Sequence, residues 1–408
     1  MERKRLFILI GFILAALLIA VAIYYVFFRA APPPVAPPEV PTAAAPPGAL
    51  PSAGEGKPPT AAAPEVPGAA PAAFVPSPVA AGGITRTTTL NPTLTIAPQV
   101  ASNGAITFLD DSDGKFYSIG ADGSKKSLSD QSFAGANNVT WTPDSSKAVI
   151  TFPDNSKILY DFNAKKQVTL PSHWDEFAFS PSGETFVAKS LSLAPENRWL
   201  IASNPDGSGA KGITPIGENA NKIKVAVSPN DSVVAFAAIG EKLGGDRSQI
   251  IPVGRNNENL PAITVEGLDF TPVWSPNGTD VLYSVISAST DYKPVTWIDV
   301  GSGVNTGGGR RLVGLNTWGD KCTFASADTV YCAVPDPSSL PAGIGFDRTQ
   351  VGNTNDTIYK VDVKTGTKTI VAKPDLTVSV EKLQVSKDGG KLLFVAKESG
   401  ALMSIALK

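Results

Sequence analysis

One histidine, two cysteines and two methionines serve 408 residues. A single imidazole and two thiols cannot build a histidine-rich metal site. The lone His173, in PSHWDE, reads as a loop residue and not as a general base. No G-x-S-x-G nucleophile elbow occurs, so hydrolase chemistry built on that turn is not written here. Charge is equally thin: 35 basic residues against 37 acidic ones leave a formal net charge of −2. Beyond the first five residues there is no long run of Lys or Arg. That leaves no global attraction to nucleic acid, and no nucleic-acid partner is expected. No cofactor motif stands out, and none is expected.

What is abundant is glycine, proline and apolar residues, 37, 35 and 42% respectively in residues, residues and composition. They fall into three materials. The first is MERKR followed by LFILIGFILAALLIAVAIYYVFF, residues 6–28. This uncharged run would span about 34 Å as a helix, enough for a bilayer core of ~30 Å. Arg3, Lys4 and Arg5 favour the cytoplasmic side, and Tyr24, Tyr25, Phe27 and Phe28 suit the far interface. Residues 1–29 therefore read as a cytoplasmic stub and an uncleaved transmembrane anchor. A cleaved signal peptide is the alternative, although Phe28-Arg29-Ala30 makes a poor cleavage site.

The second material, residues 30–83, is almost all Pro, Ala, Gly, Val and small polar residues. Such a chain cannot bury enough surface to offset its ordering entropy. It reads as a disordered, Pro-stiffened tether with an outer reach on the order of 150 Å.

The third material, 84–408, repeats itself. VTWTPDSSKAVITF (139–152), FAFSPSGETFVA (177–188), VAVSPNDSVVAF (225–236), VWSPNGTDVLYSV (273–285) and LQVSKDGGKLLFV (383–395) share one design. A worn copy is CTFASADTVYCA (322–333). Each is an apolar-x-apolar strand, a Ser or Thr, usually Pro, a small polar pair, and a second apolar strand. Pro presets the turn, and Asn, Asp and Gly tolerate its corner. Trp141, Phe179, Val227, Trp274, Phe324 and Val385 recur at roughly 40–60 residues, the period of a β-propeller. The expected fold is all-β, with seven four-stranded blades at 95–129, 138–170, 176–215, 223–265, 270–314, 320–372 and 380–407. Six is the alternative, if 95–129 merely completes the last blade. The last blade holds three strands, and ITRTTTL at 84–90 is available as its fourth, closing the ring.

The repeats, best matched at 274–278, 141–144 and 179–183, resemble the PD40 or TolB-type propeller family, whose repeat reads roughly WSPDGxxIAF. The resemblance covers about 300 residues and implies a WD40-like ring. Ser182, Asn230 and Asn277 stand where that repeat has Asp. The separate N-terminal α/β domain of the TolB protein is replaced here by the anchor and tether.

Other features have plainer readings. LDDSDGK (109–115) hints at calcium but lacks a full EF-hand loop, and a solvated hairpin turn is the default. SKDGGKLLF (386–394) brushes against a sialidase Asp-box and reads as one more blade turn. GSGVNTGGGRR (301–311) could cradle an anion, with a flexible hairpin loop as its default. Cys322 and Cys332 flank one hairpin and are candidates for a cross-strand disulfide.

Loop lengths carry the functional expectation. With strands A to D counted from the axis outward, the Ser-Pro turn is the A–B connection and is short. The B–C connection lengthens at 189–197, 238–248 and 286–294, and becomes 22 residues at 335–356. Those loops emerge on one face, and long loops are where function concentrates. Phe346, Asp347 and Arg348, with Arg247, Asp291 and Tyr292 on neighbouring insertions, are the partner-binding candidates. The expected partner is an envelope protein or glycan on that face. The alternatives are a structural subunit of an envelope complex and a carboxylate-based glycan-acting enzyme.

Overall fold

The computed structural model describes residues 17–18, 75–341, 343, 348 and 351–408. The anchor and the tether, apart from Leu17 and Leu18 and from 75 onward, lie outside the described residues. Among the described residues no helix is long and apolar enough to cross a membrane.

Residues 75–408 form seven four-stranded antiparallel blades arranged as a propeller ring. Blade one runs from Thr95 to Ser127, two from Asn138 to Leu170 and three from Trp174 to Pro215. Blade four runs from Ile223 to Glu266, five from Leu268 to Leu312 and six from Cys322 to Pro374. Blade seven takes strands A to C from Val380–Val385, Lys391–Ala396 and Leu402–Ala406. Its strand D comes from the other end of the domain, Thr87–Asn91, with Thr87 opposite Ile405.

Ring closure thus divides the segment 84–90 differently from the simple expectation. Ile84–Thr85 leaves blade seven and pairs in parallel with Lys373 and Pro374 on the outer edge of blade six. Asp375 pins the crossing point: its Oδ1 accepts from the Thr87 amide (2.9 Å) and the Thr87 hydroxyl (2.7 Å). One N-terminal segment therefore covers the outer edges of two blades.

The core is divided into wedges between adjacent blades. Strand B of blades four and seven reads as a near-continuous apolar run, VVAFA at Val233–Ala237 and KLLFVA at Lys391–Ala396, because both of its faces are covered. Seven apolar clusters lie one at each seam. The seam of blades one and two is aromatic, with Phe116 meeting Phe133, Trp141 and Phe162 at centroid distances of 5.2, 5.2 and 5.0 Å. The seam of blades seven and one, where the chain ends meet, is thinner: Phe108, Ile119, Val395 and Leu402.

Four inner strands carry a bulge that the alternation in the sequence did not announce. Ala97, Glu176, Asp269 and Lys382 take φ of 47°, 52°, 55° and 51°, each where the A–B register slips. A bulge re-aims the side chains beside it. Glu176 and Asp269 flank the short inner strand of blade four. The Val225 amide donates to Glu176 Oε1 at 2.9 Å, and Lys224 Nζ lies 3.5 Å from Asp269 Oδ1.

Candidate functional site on the insertion face

The two faces of the ring are built by different means. On one, the A–B turns of five blades share a bonding scheme. In blade four the Ser228 hydroxyl donates to Asn230 Oδ1 (2.7 Å) and accepts the Val233 amide (3.0 Å), while the Ser232 amide donates to Asn230 (3.3 Å). Thr142 with Asp144, Ser275 with Asn277 and Ser386 with Asp388 do the same, and Ser180 with Ser182 does so with a hydroxyl in place of the carbonyl. The residue after the Asx or Ser is left-handed in all five: Ser145, Gly183, Asp231, Gly278 and Gly389. This explains the repeat. The first hydroxyl is both donor and acceptor, the Asx oxygen closes the turn, and glycine suits the corner.

Blade six has Ala325-Ser326-Ala327-Asp328 at that turn. Cys322 and Cys332 sit directly opposite each other in strands A and B, with Cα atoms 4.1 Å apart and the sulfurs bonded.

The other face carries the D–A and B–C connections. In blade three, 191–198 contains a short 3-10 turn, and Arg198 ties it down through the carbonyls of Ser192 (2.8 Å) and Leu193 (3.3 Å). In blade four the insertion folds as a small hairpin, Lys242–Gly244 pairing with Arg247 and Ser248. Asp246 from that hairpin accepts the Ala288 amide of blade five at 3.0 Å. The blade-five loop turns through Asp291 and Tyr292, both left-handed, and its Asp291 carbonyl accepts the Gly343 amide at 3.1 Å. Insertions on blades four, five and six are thereby linked edge to edge.

Each candidate residue has a definite place, except that Phe346 and Asp347 lie outside the described residues. Arg247 is exposed at the blade-four hairpin, Asp291 is exposed on the blade-five loop, and Tyr292 beside it is half-buried. Arg348 is engaged within the chain: its guanidinium lies 4.5 Å from the Trp318 ring and 2.8 Å from Asp320 Oδ2. Leu340 and Val351, from the two ends of the blade-six insertion, pack on Trp318. The insertion's far end is held by a buried ion pair, Lys321 Nζ to Asp356 Oδ2 at 2.6 Å.

The sequence reading passed over a set of apolar tips on this same face. Leu193 is 98% exposed, and Ile239, Leu243 and Leu268 are also exposed. They belong to the connections of three consecutive blades, three to five. Leu193, Ile239 and Leu243 lie inside the lengthened loops 189–197 and 238–248 and Leu268 opens strand A of blade five, but an aliphatic side chain gives no sign in the sequence of whether it packs back or faces solvent.

Two cavities open on this face near the axis and share Glu381 and Lys397. One, of about 190 Å³, lies under the blade-six insertion and is lined by Trp318, Lys321, Arg348 and Thr354 among others. The second, of about 500 Å³, runs across blades seven, one and two, with Gln99, Asn137, Asn138 and Thr140 on its wall. The inner carboxylates Glu176 and Asp269 are committed to Lys189 and Lys224.

The remaining motifs are absorbed by the fold. Burial pushes the Asp110 carboxyl up, but hydrogen bonds from Ser112, Thr93 and Lys125 outweigh it and hold it at about 2. Asp113 of the same motif accepts the Lys115 amide (2.9 Å) and the Tyr117 hydroxyl (2.6 Å), so two of the three carboxylates of LDDSDGK are already used. His173 is an exposed loop residue whose carbonyl accepts the Leu191 amide at 2.7 Å. The loop GSGVNTGGGRR does cradle a carboxyl group, but it is the chain's own: the Gly309 amide donates to Asp299 Oδ1 at 2.9 Å.

No protein-family model matches the chain, and no curated protein matches it. Solved structures match its fold. An oligogalacturonate lyase in complex with manganese aligns with a TM-score of 0.54 at 13% identity, over 79% of this chain and 93% of that one. The β-propeller domain of Cps50 (Swd1) from Myceliophteria thermophila aligns at 0.52 and 12%, over 79% of this chain and 100% of that one. The tricorn protease aligns at 0.51 and 12%, over 79% of this chain and 34% of that one. The likeness is one of fold: a β-propeller.

Proposed function

We propose that this chain is a protein-binding module of the cell envelope, displayed outside the cytoplasm on a membrane anchor and a Pro-rich tether. The anchor is residues 6–28, the tether 30–83, and the repeats are of the PD40 type. The partner is a protein, and it docks on the face that carries the insertions. The observation that carries this reading is the row of exposed apolar tips on blades three to five, Leu193, Ile239, Leu243 and Leu268. Aliphatic groups held out in water on loops of one face are what a protein interface covers. Arg247, Asp291 and Tyr292 supply polar and aromatic contacts beside them. Two of the inner carboxylates, Glu176 and Asp269, serve as clips between blades, which favours binding over catalysis at those positions.

The test is a full-length chain carrying Leu193→Ser, Ile239→Ser, Leu243→Ser and Leu268→Ser together. It should keep its melting temperature within a few degrees and lose the envelope protein that co-purifies with the unaltered chain. Retained co-purification would move the docking site elsewhere. Orientation is tested separately. Protease added to intact spheroplasts should release the propeller, and full protection would contradict display outside the cytoplasm.

A further inference from the structure

Among the described residues, three buried side-chain polar atoms lack a hydrogen-bond partner: Tyr283 Oη, Trp297 Nε1 and Asp299 Oδ2. Unsatisfied buried groups are uncommon in native proteins and each calls for a reason. Here all three belong to one face of one blade. Tyr283 on strand B lies directly opposite Trp297 on strand C, and Asp299 follows Trp297 by two residues, so the three side chains share a side of the sheet. That side packs on strand D of blade four through Ile263 and Val265. Tyr283 is 0% exposed and Asp299 1%.

The glycine-rich loop after strand C closes over them. The Gly307 amide returns to the Val300 carbonyl at 2.9 Å. The amides of Val300 and Gly309 donate to Asp299 Oδ1 at 2.8 and 2.9 Å, which fills that oxygen and leaves Oδ2 for another partner. Arg310 fastens the loop to blade four through Glu266 (2.9 Å) and the Thr264 carbonyl (3.3 Å), with its guanidinium 5.2 Å from the Trp297 ring. A Cβ on Gly307 would come within 2.6 Å of the Ala262 carbonyl oxygen, so the strap needs glycine there to lie this close.

We infer that Tyr283, Trp297 and Asp299 form an internal hydration site, in which one water bridges the three groups beneath the strap. The donor and acceptor inventory selects the guest. The indole N–H can only donate, the carboxyl Oδ2 accepts while Asp299 is ionised, and the phenol can do either. A water that accepts from the indole and the phenol and donates to the carboxyl makes three bonds, the usual number for buried water. An anion would meet Asp299, and a metal ion would meet an indole N–H that cannot ligate it. Burial pushes the Asp299 carboxyl above the ordinary range, against the pull of the Gly309 and Val300 amides and of Arg310.

The sign of one substitution separates this site from three orphaned groups. Tyr283→Phe removes the phenol oxygen and little else. If a water bridges the three, the variant loses a bond in a shared network and its melting temperature falls. If the phenol is orphaned, removing it leaves the melting temperature unchanged or raises it, which would overturn the inference. Combining Tyr283→Phe with Asp299→Asn should cost less than the sum of the single losses, because both act on one water; strict additivity counts against it. A crystal structure of the unaltered protein gives a readout independent of any variant. One solvent peak within hydrogen-bond distance of all three atoms is the expected result. Direct side-chain bonds among them, or no peak, is the contrary one.

Discussion

On the face of the Ser-Pro turns, five blades close their A–B hairpins with the same hydroxyl, the same Asx-type acceptor and the same left-handed corner. On the opposite face the long B–C loops have no common closure. Blades three, five and six each carry a short 3-10 turn, but blade three ties it down with Arg198, blade five follows it with two left-handed residues and blade six buries a tryptophan, while blade four folds a hairpin. The difference teaches where each face gets its structure. A turn lock is local chemistry within six residues, so it can be copied blade after blade. The insertions take their shape from neighbours: Asp246 reaches blade five, Asp291 reaches blade six, and Arg348 lies on Trp318. A surface specified in that way is free to differ at every position, which suits recognition.

The largest expected effect comes from removing the frame that both faces share. Deleting 84–92 takes away strand D of blade seven and the parallel edge on blade six. Its thermal transition should drop sharply or lose cooperativity, while deleting 40–70 should leave the transition in place. Next comes a contrast within the insertion face. Leu340→Ala uncovers Trp318 and should cost about 2–5 kcal/mol in denaturant unfolding, whereas Leu193→Ser should stay within about 0.5 kcal/mol. Equal costs would mean that the blade-three tip is also packed.

On the turn face, Ser228→Ala strands the buried Val233 amide and should cost about 1–3 kcal/mol by chemical denaturation. Cys322→Ser with Cys332→Ser tests the one turn that departs from the scheme. Opening a loop of that length should cost about 2–3 kcal/mol, and reducing agent should reproduce the loss in the unaltered chain.

The smallest effect is in acid. The Ser386 hydroxyl and the Gly390 amide hold the Asp388 carboxyl below the ordinary range. In Asp144, hydrogen bonds from Thr142 and Ser146 outweigh the upward push of burial and lower it as well. A carboxyl lowered on folding contributes stability above its unfolded value near 3.8 and loses it as pH falls through the folded value. Asn230 and Asn277 perform the same bonding without titrating. Asp144→Asn with Asp388→Asn should therefore be nearly neutral at pH 7 and flatten the acid limb of the melting curve. A large loss at pH 7 would show that the charge itself matters.

The turns were legible because their chemistry is written in consecutive residues; counting them gave six blades, and the seventh rested on the layout of 95–129, with six blades as the alternative. Closure was legible only in part. Thr87–Asn91 is rich in β-branched threonine, as a strand can be, but nothing in the side chains of Ile84–Thr85 signals a parallel pairing made by backbone alone. The bulges at Glu176 and Asp269 were hidden because one extra residue leaves the apolar count unchanged. The exposed tips were passed over for a different reason: Leu193 falls inside the lengthened loop 189–197, but a leucine there gives no sign in the sequence of whether it packs back or stays 98% exposed. Tyr283, Trp297 and Asp299 likewise read as ordinary strand positions until one sheet face brought them together.

The central claim is that recognition belongs to the insertion face. It is tested most directly by placing a photo-crosslinking amino acid, one position at a time, in the full-length chain in its own cells. Leu193 and Leu243 report on the insertion face, and Val304, 88% exposed on a C–D loop, reports on the other. The account predicts a crosslink to one and the same protein from Leu193 and Leu243 and none from Val304. A crosslink from Val304 alone, or from none of the three, would contradict it.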